Sequence, residues 1–262
     1  MKIKTILAAT AITAWSGMAS AGFVTTFGQT SNGLATFPLT LYPEAADARD
    51  AFVSTKTIVS FYDFESATVG ATSLNNIAFG AVTANLTGGL VRQALGDGTD
   101  EGRYSVSGNS GSAIQGSRYW EATAPDGSAS MFTLQFSGAV QSFGFFGTDI
   151  GDFDGTLSLV LTRTDGTEVT VSPGSGGPFG DPITGTDADA SVLFFGVSAT
   201  IADDYFRSVR FITTGGSGDD VFGFDMFTVV AAPGGPLPTP LPGSLALVGA
   251  ALGGLALVRR RR

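Results

Sequence analysis

Residues 131–137 read Met-Phe-Thr-Leu-Gln-Phe-Ser, which places Phe132, Leu134 and Phe136 at every second position. A half-buried β-strand imposes that period, because successive side chains leave a strand on opposite faces. A helix would instead bring residues three and four apart onto one face. Strand-like segments of the same kind recur at 57–65, 77–87, 103–107, 118–123, 140–149, 156–163, 167–172, 191–200, 207–213 and 221–230. In 57–65 the period sets Phe61, Asp63 and Glu65 on one face and Tyr62 and Phe64 on the other. Asp165-Gly166 joins two of the segments as a hairpin signal, since both residue types tolerate positive φ. About ten short strands at such spacing predict an all-β chain folded as a jelly-roll-like β-sandwich.

One segment carries a helical pattern instead. Pro43 suits a first helical turn, Glu44 and Asp47 suit the positive end of the dipole, and Ala48, Ala51 and Phe52 form an apolar stripe. The spacing predicts one short helix over Pro43–Ser54.

The two ends of the chain follow different rules. Lys2 and Lys4 precede an apolar run over 6–18, and Ala19-Ser20-Ala21 is a small-x-small cleavage pattern before Gly22. This is the layout of a secretory signal peptide over 1–21, removed by signal peptidase. At the other end, 231–242 contains five prolines, and 241–258 is an uncharged run of 18 residues. At about 1.5 Å per residue that length just crosses a hydrocarbon core of roughly 30 Å. Arg259, Arg260, Arg261 and Arg262 close the chain and favour a cytoplasmic end. The expected organisation is signal peptide 1–21, β-sandwich ectodomain 22–232, proline-rich linker 233–244, and transmembrane helix with arginine tail 245–262.

Pro240-Leu241-Pro242-Gly243, the apolar run and the four arginines resemble the PEP-CTERM sorting signals of Gram-negative bacteria, in the V-P-L-P-A variant. Thr239 and Gly243 depart from that pattern. The resemblance implies an exosortase-type enzyme that cuts near Pro240 to Pro242, a transient anchor in the inner membrane, and delivery to the cell surface or medium of a cell that makes biofilm exopolysaccharide. In the middle of the chain, Phe61-Tyr62-Asp63-Phe64-Glu65, Phe145-Phe146-Gly147-Thr148-Asp149, Phe194-Phe195-Gly196-Val197 and Phe222-Gly223-Phe224-Asp225 resemble segments of secreted sandwich proteins of that class. Those are similar in layout to lectin-like and carbohydrate-binding jelly rolls.

Charge and missing residue types narrow the chemistry. Lys2, Lys4 and the terminal arginines hold six of the 14 basic residues, so the exported span carries eight against all 23 acidic ones, a net charge of −15. That balance opposes nucleic acid and anionic lipid, leaving the C-terminal helix as the one membrane contact. There is no Cys and no His, which excludes thiol chemistry, Ser-His-Asp systems and the usual zinc sites. Lys56 is the single lysine after residue 21, so any Ser-Lys chemistry would hang on it.

Three groups of residues suggest sites. Asp63, Glu65 and Asp225 would converge if the first and last strands are neighbours, and three carboxylates suit a structural Ca²⁺. Asp149, Asp152 and Asp154 sit in a glycine-bearing loop that lacks the full EF-hand pattern and reads first as a plain Asp/Gly hairpin turn. Tyr104, Tyr119 and Trp120, beside Asn109, Gln115, Arg118 and Glu121, offer flat rings for stacking on a sugar, with core packing as the alternative. No catalytic signature singles out a carboxylate pair. The sequence therefore reads as a non-enzymatic, matrix- or exopolysaccharide-associated binding module. A glycan hydrolase and a purely structural matrix protein are the alternatives.

Overall fold

The computed structural model describes residues 22–30, 39, 41–94, 102–106, 117–125, 129–150, 155–171, 191–215 and 220–234. The strands are β1 (Phe23–Thr30), β2 (Ser60–Tyr62), β3 (Ser73–Phe79), β4 (Val82–Thr87), β5 (Leu90–Gln93), β6 (Arg118–Thr123), β7 (Ala129–Thr148), β8 (Gly155–Arg163), β9 (Glu168–Val171), β10 (Val192–Ala199), β11 (Phe206–Gly215) and β12 (Val221–Ala231), with one helix, α1 (Pro43–Ser54). These elements form a β-sandwich whose strands pair antiparallel.

The two sheets share β7, which is 20 residues long. Its first half runs between β11 and β4, giving a sheet ordered β9-β8-β11-β7-β4-β3. Its second half runs between β10 and β12, giving β1-β10-β7-β12. On its far edge β12 pairs with β6 at its start, with β5 beyond β6, and with β2 towards its end. The sequence breaks at Ser137-Gly138 suggest two strands, but β7 passes through them unbroken.

Phenylalanines fill the space between the sheets. Phe132 of the first sheet stacks on Phe211 at 4.0 Å and meets Phe224 of the second edge-on at 4.7 Å. Phe143 and Phe145 of the second sheet approach Phe211 at 6.1 and 5.0 Å. Alternation on β10 sends Leu193, Phe195 and Val197 into this core and Val192 and Phe194 to the opposite face. The second sheet is therefore apolar on both faces, and α1 covers part of the outer one. Full burial of each such ring contributes about 1.5–3 kcal/mol.

The helix spans the expected residues, with Pro43 in its first turn, and it buries Ala45, Ala46, Ala48, Arg49 and Phe52. Ala51 faces solvent rather than the sheet. The 77–87 segment is a hairpin, not one strand, because the chain reverses at Gly80 between β3 and β4. The expected strand over 57–65 is cut to β2: Phe64 adopts a φ of 61° and the Asp63 side chain accepts the Glu65 N–H at 3.2 Å. Of 103–107, residues 103–106 carry no strand beyond a bridge at Arg103.

The chain divides into two units, Met1–Ala232 and Pro233–Arg262. Every element above belongs to the first, and of the second only Pro233 and Gly234 are described. The expected signal-peptide segment with Ala19 and Ala21, the expected sorting residues Pro240, Leu241, Pro242 and Gly243, the apolar tail and Arg259 to Arg262 lie outside the described residues. Among the described residues, no helix is long and apolar enough to cross a membrane.

Candidate ligand site

The outer face of the β1-β10-β7-β12 sheet holds the site, and α1 shapes it. Phe52 anchors the helix: its ring lies against Phe194 at 5.5 Å, and a Cβ on Gly196 would fall 2.4 Å from Phe52 Cδ2. A side chain at 196 would lift the helix off the sheet.

Beyond Ser54 the chain leaves the helix and closes down towards the sheet. The Lys56 N–H donates to the Val53 carbonyl at 3.0 Å. The Lys56 ammonium donates to the Phe52 carbonyl and stands 3.9 Å over the centre of the Phe52 ring. Partial burial disfavours the charged amine and holds its pKa below the usual lysine range. A ring face and a carbonyl thus fix the one lysine that follows residue 21, with N–H donors to spare.

Below Lys56 lies a pocket of about 190 Å³ lined by Thr55, Lys56, Thr57, Gln141, Ser142, Ser198 and Val230. Strand register builds its floor: Ser198 pairs with Ser142, and Ser142 with Val230, so all three project to one face in one row. Ser142 is 1% exposed, and its hydroxyl has no hydrogen-bond partner among the described residues. Buried polar atoms are nearly always satisfied, so such a hydroxyl beneath a polar pocket marks a place for water or ligand. In the neighbouring row Phe61 pairs with Thr228, and Thr228 with Gly144. Phe61 therefore projects on the same face, and at 41% exposure it is the one exposed aromatic among the described residues.

The sugar-stacking residues expected from the sequence are elsewhere and are not a platform. Tyr104, Tyr119 and Trp120 are 0% exposed. Trp120 stacks on Phe64 at 6.3 Å and meets Phe132 edge-on at 6.5 Å, inside the sandwich. The Tyr104 hydroxyl accepts the Leu39 N–H at 3.2 Å, and burial raises its pKa far above the ordinary phenol range. Rings that no ligand can reach serve packing alone. Asn109 and Gln115 lie outside the described residues.

Of the three expected calcium ligands, two come together. Ser105 Oγ lies 2.8 Å from Asp225 Oδ2 and 3.3 Å from Glu65 Oε1. Asp225 also accepts the N–H groups of Val106 at 2.7 Å and Met226 at 2.6 Å. Glu65 accepts those of Ser117 and Arg118 at 2.7 and 2.8 Å. Asp63 is exposed and turned into its own Asx turn. Every oxygen of the pair already meets a donor, and burial raises the Asp225 carboxyl well above the usual carboxylate range. Three free carboxylates do not converge here, and among the described residues no group of three metal-binding side chains does.

Asp149 of the acidic loop is also enclosed: Arg103 bridges Asp149 at 3.4 Å and Glu121 at 3.3 Å. Asp152 and Asp154 lie outside the described residues. The buried polar groups at 103–106 therefore clamp that segment to the sheet. Sequence reasoning marked Lys56 as solitary but missed its partners Thr55, Thr57, Gln141, Ser142 and Ser198. The available signal was the pair of serines beside the Phe-rich runs 143–146 and 194–195.

No protein-family model and no curated protein matches the chain. Solved structures similar to it include a family 11 carbohydrate-binding module from Clostridium thermocellum in complex with a β-1,3-1,4-mixed-linked tetrasaccharide, at 10% identity over 68% of this chain and 98% of that one, TM-score 0.29. TmCBM61 in complex with β-1,4-galactotriose is similar at 18% identity over 65% and 94%, TM-score 0.26. The family 11 module of the cellulosomal cellulase Lic26A-Cel5E of C. thermocellum is similar at 11% over 63% and 97%, TM-score 0.24. Likeness at these scores carries no argument about this chain.

Proposed function

We propose that this protein is an exported, non-catalytic binding module that takes one unit of a neutral polysaccharide into the pocket under Lys56. The observation that carries the reading is the buried, unpartnered Ser142 hydroxyl in a pocket edged by two threonines, a glutamine amide, a second serine and an ammonium. Hydroxyls and amides both donate and accept, which matches the mixed demands of sugar hydroxyls. Phe61 supplies the apolar face on which a ring stacks. The −15 charge of the exported span opposes an acidic polymer, and one ammonium does not outweigh that field. The pocket lining carries no carboxylate, so the acid-pair chemistry of a glycoside hydrolase finds no support there.

Export follows the sequence reading: signal peptidase removes 1–21, and an exosortase-type enzyme cuts the proline-flanked tail, leaving the sandwich at the surface among matrix polysaccharide. Intact mass of the protein recovered from its host should show a chain beginning at Gly22 and lacking the arginines. Retention of Arg262 would instead leave it tail-anchored. A glycan array probed with the chain from 22 onward should give neutral-polymer signals that Lys56→Met weakens. Signals on polyanions alone would overturn the ligand class.

A further inference from the structure

The sequence sets Gly22 as the first residue of the mature chain, and the structure places Gly22 against a buried carboxylate. Thr200 holds it from the far side, donating through its N–H at 2.9 Å and its hydroxyl at 3.2 Å to the Gly22 carbonyl. Gly22 has a φ of 99°, a conformation that favours glycine. A Cβ there would fall 2.0 Å from Asp204 Oδ2. Standard bond lengths put a residue's nitrogen about 2.5 Å from its own Cβ position. The Gly22 nitrogen is therefore within about 4.5 Å of that oxygen, close to ion-pair range.

Asp204 is 6% exposed and sits in the 3-10 turn Ala202–Asp204. Its Oδ1 pairs with Arg163 at 2.7 Å, and Arg163 in turn lies over the Phe23 ring at 5.7 Å. Arg163, at the end of β8, is the charged partner of Asp204, and the preceding residue Asp203 is exposed. Arg163 takes Oδ1 of Asp204, and the other oxygen, Oδ2, is the one turned towards Gly22.

We propose that cleavage after Ala21 completes this cluster. Hydrolysis of the Ala21–Gly22 amide takes up one water and leaves a carboxylate on Ala21 and an α-amino group on Gly22. Protonated at neutral pH, that amine becomes the second cation on Asp204 and ties the start of β1 to β8 and the 3-10 turn. In the precursor the same nitrogen is a neutral amide, so removal of the leader both frees the domain and strengthens its first strand. The natural cut site belongs to the export reading above. The charge effect is tested separately on a chain with a defined start.

Thermal melts should be compared for the chain 22–262 beginning at a free Gly22, for the same chain extended by one alanine, and for the Gly22 form acetylated at its amine. The free form should melt at least about 2 °C above the other two at pH 7, a shift in the range one added ion pair gives a domain of this size. The sign follows from linkage: an amine that gains a carboxylate has its folded pKa raised. Its contribution is full below the ordinary α-amino range of about 7.7–8.0 and is lost as pH rises through the folded value. The advantage should therefore vanish by about pH 10, and Asp204→Asn should abolish it. Equal melting of the three forms at pH 7, or an advantage that persists in Asp204→Asn, would overturn the proposal. If Asp204→Asn does not fold, the acetylated form and the pH series decide. A host protein whose mass shows another start would refute the natural cut while leaving the charge effect to the melts.

Discussion

Asp225 shows how burial decides what a residue can do. It is 1% exposed, and desolvation raises its carboxyl well above the usual range, although Ser105, Met226 and Val106 all donate to it. The folded pKa lies above the unfolded one, so its contribution to stability is present below about pH 4 and is lost as pH climbs through the folded value. Melting of wild type relative to Asp225→Asn, followed from pH 4 to pH 8, should show the wild type losing ground as pH rises; a difference constant with pH would contradict it. The same burial bears on calcium at Asp63, Glu65 and Asp225. A carboxyl inclined to hold its proton and a carboxylate saturated by N–H groups are poor ligands for a hard cation. EDTA should leave the melting temperature unchanged, and an upward shift on adding Ca²⁺ would show that the pair trades its donors for the ion.

Among the elements, α1 and β10 depend on each other most directly. Gly196→Ala puts a methyl group into the Phe52 ring, and the helix must lift or the ring must turn. Overpacking of this kind costs about 1–3 kcal/mol, which calorimetry should read as a drop of roughly 2–4 °C per kcal/mol. The helix, the hairpin at Asp165-Gly166 and most strands were legible in the sequence, because period and turn chemistry are local. The turn at Phe64 was not, because nothing local announces a positive φ at a phenylalanine. Nor was the burial of Tyr104, Tyr119 and Trp120: their stretch is polar and glycine-rich, β6 seats Tyr119 and Trp120 between β5 and β12, and Tyr104 joins the apolar cluster of Tyr42 and Phe146. The pocket was hidden for the same reason. Ser142 and Ser198 are 56 positions apart and meet only through the β7–β10 register.

At the scale of the whole molecule, the sandwich spends one face of each sheet on the shared phenylalanine core. The outer face of the β1-β10-β7-β12 sheet is divided between α1, the clamped 103–106 segment and the polar pocket under Lys56, with Phe61 on the same face in the neighbouring row. With no Cys and no His in the chain, thiol and histidine chemistry are out, and the pocket draws on hydroxyl, amide and ammonium groups instead. The most direct test is the dissociation constant for the best neutral glycan, measured for wild type and for Phe61→Ala and Lys56→Met, with melts to establish that both variants stay folded. Loss of a stacking ring or of a charged donor, each about 1–3 kcal/mol, predicts weakening of about fivefold or more in each variant. Wild-type affinity in both folded variants would contradict the account and move the ligand to another surface.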